Sequence, residues 1–251
     1  MNRDNLHLDT DTAWEKWGQR DPYFGVITNP KYRRSELTAD GKLEFFESGR
    51  LHVDYLLHVI HKHLDPEFAP RNILDFGCGV GRTLPAFAEI AQDVVGLDVS
   101  PSMLDEAERN CRDRGLLNVR LLSSDDALSA TAESFDMIHS CIVFQHIPNQ
   151  RGKLIFQRLL SRLGPGGVGA FQFLYSKTQY AENCGIPPRP ISEPEEQRSR
   201  LSPDADPEMQ MNPYNMNEIL FLTQAAGARR LYTDFTDHGG ELGVFIFFKI
   251  G

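Results

Sequence analysis

From residue 71 onward, short apolar runs alternate with stretches whose apolar residues recur every three or four positions. The runs near 72–76, 93–98, 118–123, 135–142 and 167–174 predict strands, and the stretches near 81–92, 101–114 and 150–163 predict helices, with a further helix at 215–226. Alternation of this kind predicts an α/β fold with a doubly wound, mostly parallel sheet. The end of the chain breaks the rhythm. Residues 229–235 and 243–250 read as two consecutive strands joined by His238-Gly239-Gly240, and Leu242 to Phe248 is apolar enough to be buried on both faces. Upstream, Leu51, Tyr55, Leu56, Val59, Ile60 and His63 follow helical spacing, which predicts a helix packed on the sheet.

Two regions lie outside this pattern. Residues 1–70 carry Trp14, Trp17, Tyr23, Phe24 and Tyr32 among polar residues, as either an arm stapled to the core by aromatics or a cover over a site. Residues 176–212 are rich in proline and acidic residues and too long for an ordinary connection.

At 251 residues and 41% hydrophobic, the chain can bury one sizeable core with a cap besides. A net charge of −9 without a basic stripe disfavours a nucleic-acid partner and favours a small molecule. No run of 18 apolar residues exists to span a membrane, and the polar, acidic start shows no signal-peptide core. Cys78, Cys111, Cys141 and Cys184 are scattered without a C-x-x-C pair. That argues against a zinc site or disulfide framework and fits a reducing cytoplasm. No metal-ligand cluster is evident. Nothing in the pattern indicates an oligomeric state.

Chemistry concentrates at the junctions between strands and helices. The first is Asp75-Phe76-Gly77-Cys78-Gly79-Val80-Gly81-Arg82, an apolar strand ending in a carboxylate and a glycine-rich turn that opens a helix. Glycine lets such a turn take positive φ and lets a ligand approach the backbone. A dinucleotide fingerprint would place its third glycine where Arg82 stands, so the spacing opposes a nicotinamide-dependent oxidoreductase. Next, Asp98 ends the strand 93–98, and Ser100-Pro101 starts a helix. A carboxylate there, roughly 20 residues past the glycine turn, can hold ribose hydroxyls or simply serve the helix cap. Asn118 to Ala127 is a strand entering an acidic loop, Asp125-Asp126. Ser134 to Pro148 is a strand followed by Val143-Phe144-Gln145-His146-Ile147-Pro148, and Leu163-Gly164-Pro165-Gly166-Gly167 precedes another strand.

These motifs, in this order, resemble class I S-adenosylmethionine-dependent methyltransferases of the small-molecule type, closely over residues 71 to 175 and more loosely beyond. The resemblance implies a Rossmann-like, seven-stranded sheet with an antiparallel C-terminal strand. It implies residues 1–70 as a helical, aromatic arm capping the site, 71–251 as the cofactor-binding domain, and 176–212 as a lid insert. The cofactor would be S-adenosyl-L-methionine, leaving as S-adenosyl-L-homocysteine. Asp75 would orient the turn and reach the cofactor's amino group, Gly77, Cys78 and Gly79 would lie against it, and Arg82 would meet its carboxylate. Asp98 would hold the ribose, Val99 would border the cofactor, Met103 would line the adenine pocket, and Asp125, or second Asp126, would meet the adenine amino group. Ser140 and Cys141 would complete the cofactor site.

The implied reaction is methyl transfer to oxygen or nitrogen, in preference to carbon or sulfur, by in-line displacement. The alternative is a cofactor-binding relative that catalyses another reaction, such as a cyclisation. Histidine suits a general base near neutral pH, which makes His146 the leading candidate, with His238 and Tyr214 behind it. His146 can equally hold its loop in shape. Gln145, Tyr23, Phe24 and Tyr175 are the candidate substrate contacts.

Overall fold

The computed structural model describes residues 10–176, 206–238 and 241–251. Seven strands form one sheet in the order β3-β2-β1-β4-β5-β7-β6. They are β1 (Asn72–Phe76), β2 (Asp93–Asp98), β3 (Val119–Ser123), β4 (Phe135–Ser140), β5 (Leu163–Leu174), β6 (Ala228–His238) and β7 (Glu241–Ile250). The first five pair in parallel, while β7 runs antiparallel to both β5 and β6. The sequence-based α/β expectation therefore holds, with β7 inserted between its neighbours. Seven α-helices among the described residues surround the sheet: α1 (Thr10–Arg20), α2 (Pro22–Val26), α3 (Ala39–His63), α4 (Leu84–Ile90), α5 (Pro101–Asp113), α6 (Asn149–Leu160) and α7 (Met216–Ala225). None is long and apolar enough to cross a membrane.

Each sheet face has its own core. On one, Phe76, Phe144, Phe171, Phe173 and Phe248 pack beneath α6 and α7, with Phe156 reaching into them from α6. On the other, α3 and α4 cover Ile73, Val94, Met137, Phe245 and Phe247. This double burial is why β7 reads as a continuous apolar run. A third cluster joins the N-terminal aromatics Trp17, Tyr23, Tyr32, Phe45 and Phe46 to Val80 and Met103, next to the glycine turn.

Two boundaries and one burial pattern differ from expectation for local reasons. α4 begins at Leu84 rather than 81, because Gly81 has φ +82° and the chain is still turning. β5 begins at Leu163, since a register shift between Phe135 and Met137 accommodates the Gly-Pro-Gly-Gly stretch within the ladder. Leu51 is 56% exposed. The buried stripe of α3 runs instead through Phe45, Gly49, Val53, Leu56 and Ile60. At Gly49 that helix presses on the glycine turn so closely that a Cβ would sit 2.0 Å from the Arg82 carbonyl oxygen.

Phe144, in the short 3-10 turn Phe144–His146 after β4, is fully buried among Phe76, Phe156, Phe171, Phe173 and Tyr214. Phe144→Ala is expected to destabilise the fold by about 3–5 kcal/mol, the range for emptying an aromatic core site. Urea unfolding followed by circular dichroism measures it, and a loss under about 1 kcal/mol would remove this residue's anchoring role.

Candidate active site

The strand order runs outward in both directions from the β1/β4 pair, leaving a crevice beyond their carboxyl ends, where ligands of open α/β sheets bind. A cleft of about 1010 Å³, counted out to its open mouth, occupies that place. It is lined by the glycine turn, the ends of β2 and β4, the acidic loop after β3, and the N-terminal helices.

The turn is shaped by its contacts. The N–H groups of Gly77 and Cys78 both donate to the Leu97 carbonyl, at 2.7 and 3.0 Å, tying the turn to β2. Gly77 and Gly79 have φ of +76° and +54°. Side chains there would also collide, since a Cβ would lie 2.3 Å from Val143 and 2.6 Å from Val26 respectively. Glycine is thus required for conformation and for the approach of two covering segments.

Asp98 sits where β2 gives way to α5. One carboxylate oxygen accepts the Gly79 N–H at 2.8 Å and the other accepts the Ser100 N–H at 2.9 Å. One edge of the group meets the cleft, and protein encloses the rest. Burial is the dominant influence and raises its pKa to about 6, with the two backbone donors opposing the rise. A carboxylate so placed gains from further donors. At the head of α5, Ser100 Oγ accepts the Met103 N–H, and Glu15 of α1 accepts hydrogen bonds from Ser100 Oγ, Ser102 Oγ and the Ser102 N–H. The negative side chain complements the positive end of the helix dipole and fastens α1 over the cleft.

Asp75 is 3% exposed and both of its oxygens are engaged. One accepts Thr83 Oγ1 at 2.6 Å, the other His139 Nδ1 at 2.7 Å. The carboxylate places the His139 proton on Nδ1, so Nε2 carries the lone pair that faces His52 Nε2 at 2.9 Å. Burial, with His139 next, lowers the His52 pKa to about 2, so this ring stays neutral.

Most of the sequence-derived cofactor residues converge here. Asp75, Gly77, Cys78, Gly79, Arg82, Asp98, Val99, Met103, Asp125, Asp126 and Cys141 all line the cleft. Ser140 does not. It is fully buried, and its hydroxyl has no hydrogen-bond partner among the described residues. Asp125 is exposed and accepts the Ser129 N–H at 2.8 Å, which leads the interactions that lower its pKa. Asp126 is gripped by Arg151, whose guanidinium also makes two 2.7 Å bonds to Asp11 of α1.

Among the catalytic candidates, His146 lines the cleft. Its Nδ1 donates to the Gln210 carbonyl at 2.7 Å, its own carbonyl accepts Thr10 Oγ1, and its ring meets Trp14 edge-on at 4.8 Å. Burial lowers its pKa to about 4. Tyr214 lies outside the cleft lining, with its hydroxyl donating to the Ile147 carbonyl at 2.9 Å. His238 ends β6, and its side chain lies outside the described residues. None of the four candidate substrate contacts lines the cleft. Tyr23 donates to Glu106 and sits 2.9 Å from Asn110 of α5, Phe24 stacks on Arg33, Tyr175 meets Phe235, and Gln145 contacts the segment at Met211 and Asn212.

The cleft also holds Trp14 of the aromatic N-terminal arm, and residues that sequence reasoning passed over, notably Thr10, His139, Ile142 and Arg151. A readable signal existed for His139, a histidine inside the apolar strand Phe135-Asp-Met-Ile-His-Ser that must find partners when buried. No pattern pointed to Ile142, whose φ of +60° is costly for a β-branched residue. Its N–H donates to Gln172 Oε1 at 3.0 Å, which holds the backbone in place.

Residues 73–167 match the family model described as a methyltransferase domain. A ubiquinone biosynthesis O-methyltransferase of Methylococcus capsulatus is 30% identical over 107 residues, covering 42% of this chain and 44% of that protein. The aklanonic acid methyltransferase DauC of a Streptomyces species is 34% identical over 103 residues, covering 39% and 46%. The chain thus spans somewhat less than half the length of these curated relatives. Likeness in fold extends further. Magnesium protoporphyrin IX methyltransferase from Synechocystis, solved with bound S-adenosylhomocysteine, superposes with a TM-score of 0.63 at 14% identity and 100% coverage of both chains. The N-methyltransferase NodS of Bradyrhizobium japonicum, with the same ligand, gives 0.61 at 15% identity over 96% of this chain and 98% of that one. From β1 through the glycine turn to the start of β5, this chain is thus similar to a methyltransferase domain, and the Rossmann-like fold that carries it is like that of solved methyltransferases.

Proposed function

We propose that this protein binds S-adenosylmethionine in the cleft and transfers its methyl group to an oxygen or nitrogen of a small-molecule acceptor. Asp98 carries the reading. It stands at the end of β2, held by two backbone donors and open on one edge to the cleft, where a ribose would supply two hydroxyl donors. The turn at Gly77 to Gly79 gives the cofactor's amino-acid portion a backbone surface, and Met103, Val99 and the Asp125-Asp126 loop border the adenine end. Asp75 acts through the turn, because Thr83 and His139 already occupy its oxygens.

Methyl transfer from a sulfonium is an in-line displacement, so alignment and exclusion of water supply much of the rate. α1 and α2 provide the exclusion in this reading: Val26 lies over Gly79, Trp14 lies against His146, and Arg151 joins Asp11 to Asp126. Residues 1–70 then act as a cap. The expected 176–212 lid falls for the most part on residues outside those described. His146 is neutral at pH 7, but a group with a pKa near 4 is a weak base, and its bonds to Thr10 and Gln210 suit a role in shaping the loop. The acidic surface favours a small acceptor over nucleic acid, and the free thiols Cys78, Cys111 and Cys141 suit the cytoplasm.

Calorimetric titration with S-adenosylmethionine tests the cofactor assignment. Ribose hydroxyls favour the ionised Asp98, so binding releases a proton wherever the free protein holds one. Affinity is expected to fall about tenfold per pH unit below pH 6 and to level off above 7. Asp98→Asn should weaken binding by about 10- to 100-fold at pH 7.5, the loss of charge-assisted hydrogen bonds, and flatten the pH dependence. Absence of micromolar binding in the parent protein would sink the assignment.

A second experiment separates the roles of His146. With an acceptor found by screening for labelled-methyl turnover, His146→Asn should keep kcat within about tenfold of the parent and leave the shape of the pH–rate profile unchanged. Loss of a general base would instead cost about 10²–10⁴ in rate. Cofactor binding without any methyl turnover would move the choice to the non-methylating alternative.

A further inference from the structure

Three side chains far apart in sequence come together where α3 meets the end of β4. One ring nitrogen of His52, one of His139 and Cys141 Sγ all lie within 4.8 Å of one another, and the two Nε2 atoms are 2.9 Å apart. We propose that His52, His139 and Cys141 form a binding site for a divalent transition-metal ion of the zinc class.

The donor set is one that zinc and cobalt favour, two imidazole nitrogens and one thiolate. His139 has the orientation that metal-bound histidines show. Its Nδ1–H is fixed on Asp75 at 2.7 Å, so Nε2 presents a lone pair, and Asp75 itself is steadied by Thr83. His52 projects from α3, which Gly49 lets approach the Arg82 backbone, and its ring is braced by Tyr55 and Phe245 at centroid distances of 6.3 and 5.8 Å. Without an ion, the pair at 2.9 Å shares one proton between two nitrogens. An ion replaces that proton. Tetrahedral zinc would hold the nitrogens about 3.3 Å apart, so the rings need only part slightly while Cys141 moves in by up to about an ångström. The Cys141 thiolate and the Asp75 carboxylate offset the ion's two charges, and Arg82 on the same wall is held by the Ser48 carbonyl at 3.1 Å. His139 and Cys141 line the main cleft, which gives the ion a route in and leaves a fourth coordination position for water or an acceptor oxygen.

The site uses no atom of the cofactor, so it stands or falls separately from the proposed methyl transfer. Titration of the full-length, chelator-treated protein with Co²⁺ is the test. One equivalent should produce the visible d–d bands of tetrahedral cobalt together with a near-ultraviolet thiolate charge-transfer band, both abolished by equimolar Zn²⁺. Cys141→Ser should remove the charge-transfer band, Cys111→Ser should leave it, and His52→Ala should weaken Co²⁺ binding at least about tenfold, the lower bound for losing even an outer-shell partner. Absence of these bands in the parent protein, or a charge-transfer band that survives in Cys141→Ser, would overturn the proposal.

Discussion

A carboxylate buried at the end of the central strand is the constraint on which this site is built. Removing a charge from water costs several kcal/mol unless good hydrogen bonds replace the lost hydration. Asp75 meets that demand with Thr83 on one oxygen and His139 on the other. The first bond sets the approach to α4. The second sets the facing strand and, through His52, the long helix α3. One side chain on β1 thereby orders three other elements around the turn, α4, β4 and α3.

Asp98 is the complementary case. It also relies on hydrogen bonds to offset burial, from backbone groups of the glycine turn and the head of α5, and it lines the cleft. Two carboxylates at the ends of adjacent strands thus differ in whether side chains or backbone groups satisfy them. Polar groups left partly unsatisfied by the fold are suited to recognition, whereas satisfied ones are suited to construction.

Much of this was readable in the chain because it depends on local patterns. The glycine turn, the Ser100-Pro101 helix start and the two final strands announce themselves through residue type and spacing, and the sheet follows from their alternation. What escaped was the partner of each side chain. Tyr23 reads as an aromatic suited to substrate, yet its hydroxyl is committed to Glu106 on a helix more than eighty residues away. Arg151, at the start of the predicted helix 150–163, links Asp11 to Asp126 across segments that spacing does not relate. His52 meets His139, 87 residues away, only across the assembled sheet. Spacing along the chain encodes secondary structure and turns, but it does not encode meetings between segments that fold back from a distance.

The bonds that hold α1 over the cleft have a kinetic consequence. Thr10 to the His146 carbonyl and Asp11 to Arg151 close loops of 136 and 140 residues, and the main helix contacts of α1 are with α2 and α5. Such contacts gain nothing until the sheet between them exists, so α1 is expected to dock after the sheet has formed. By the same reasoning it is the first to come away, in a partial opening that leaves both aromatic cores intact. Amide protons of residues 10–20 should therefore exchange with solvent through this small opening, while those of β1 and β4 wait for the whole molecule to unfold.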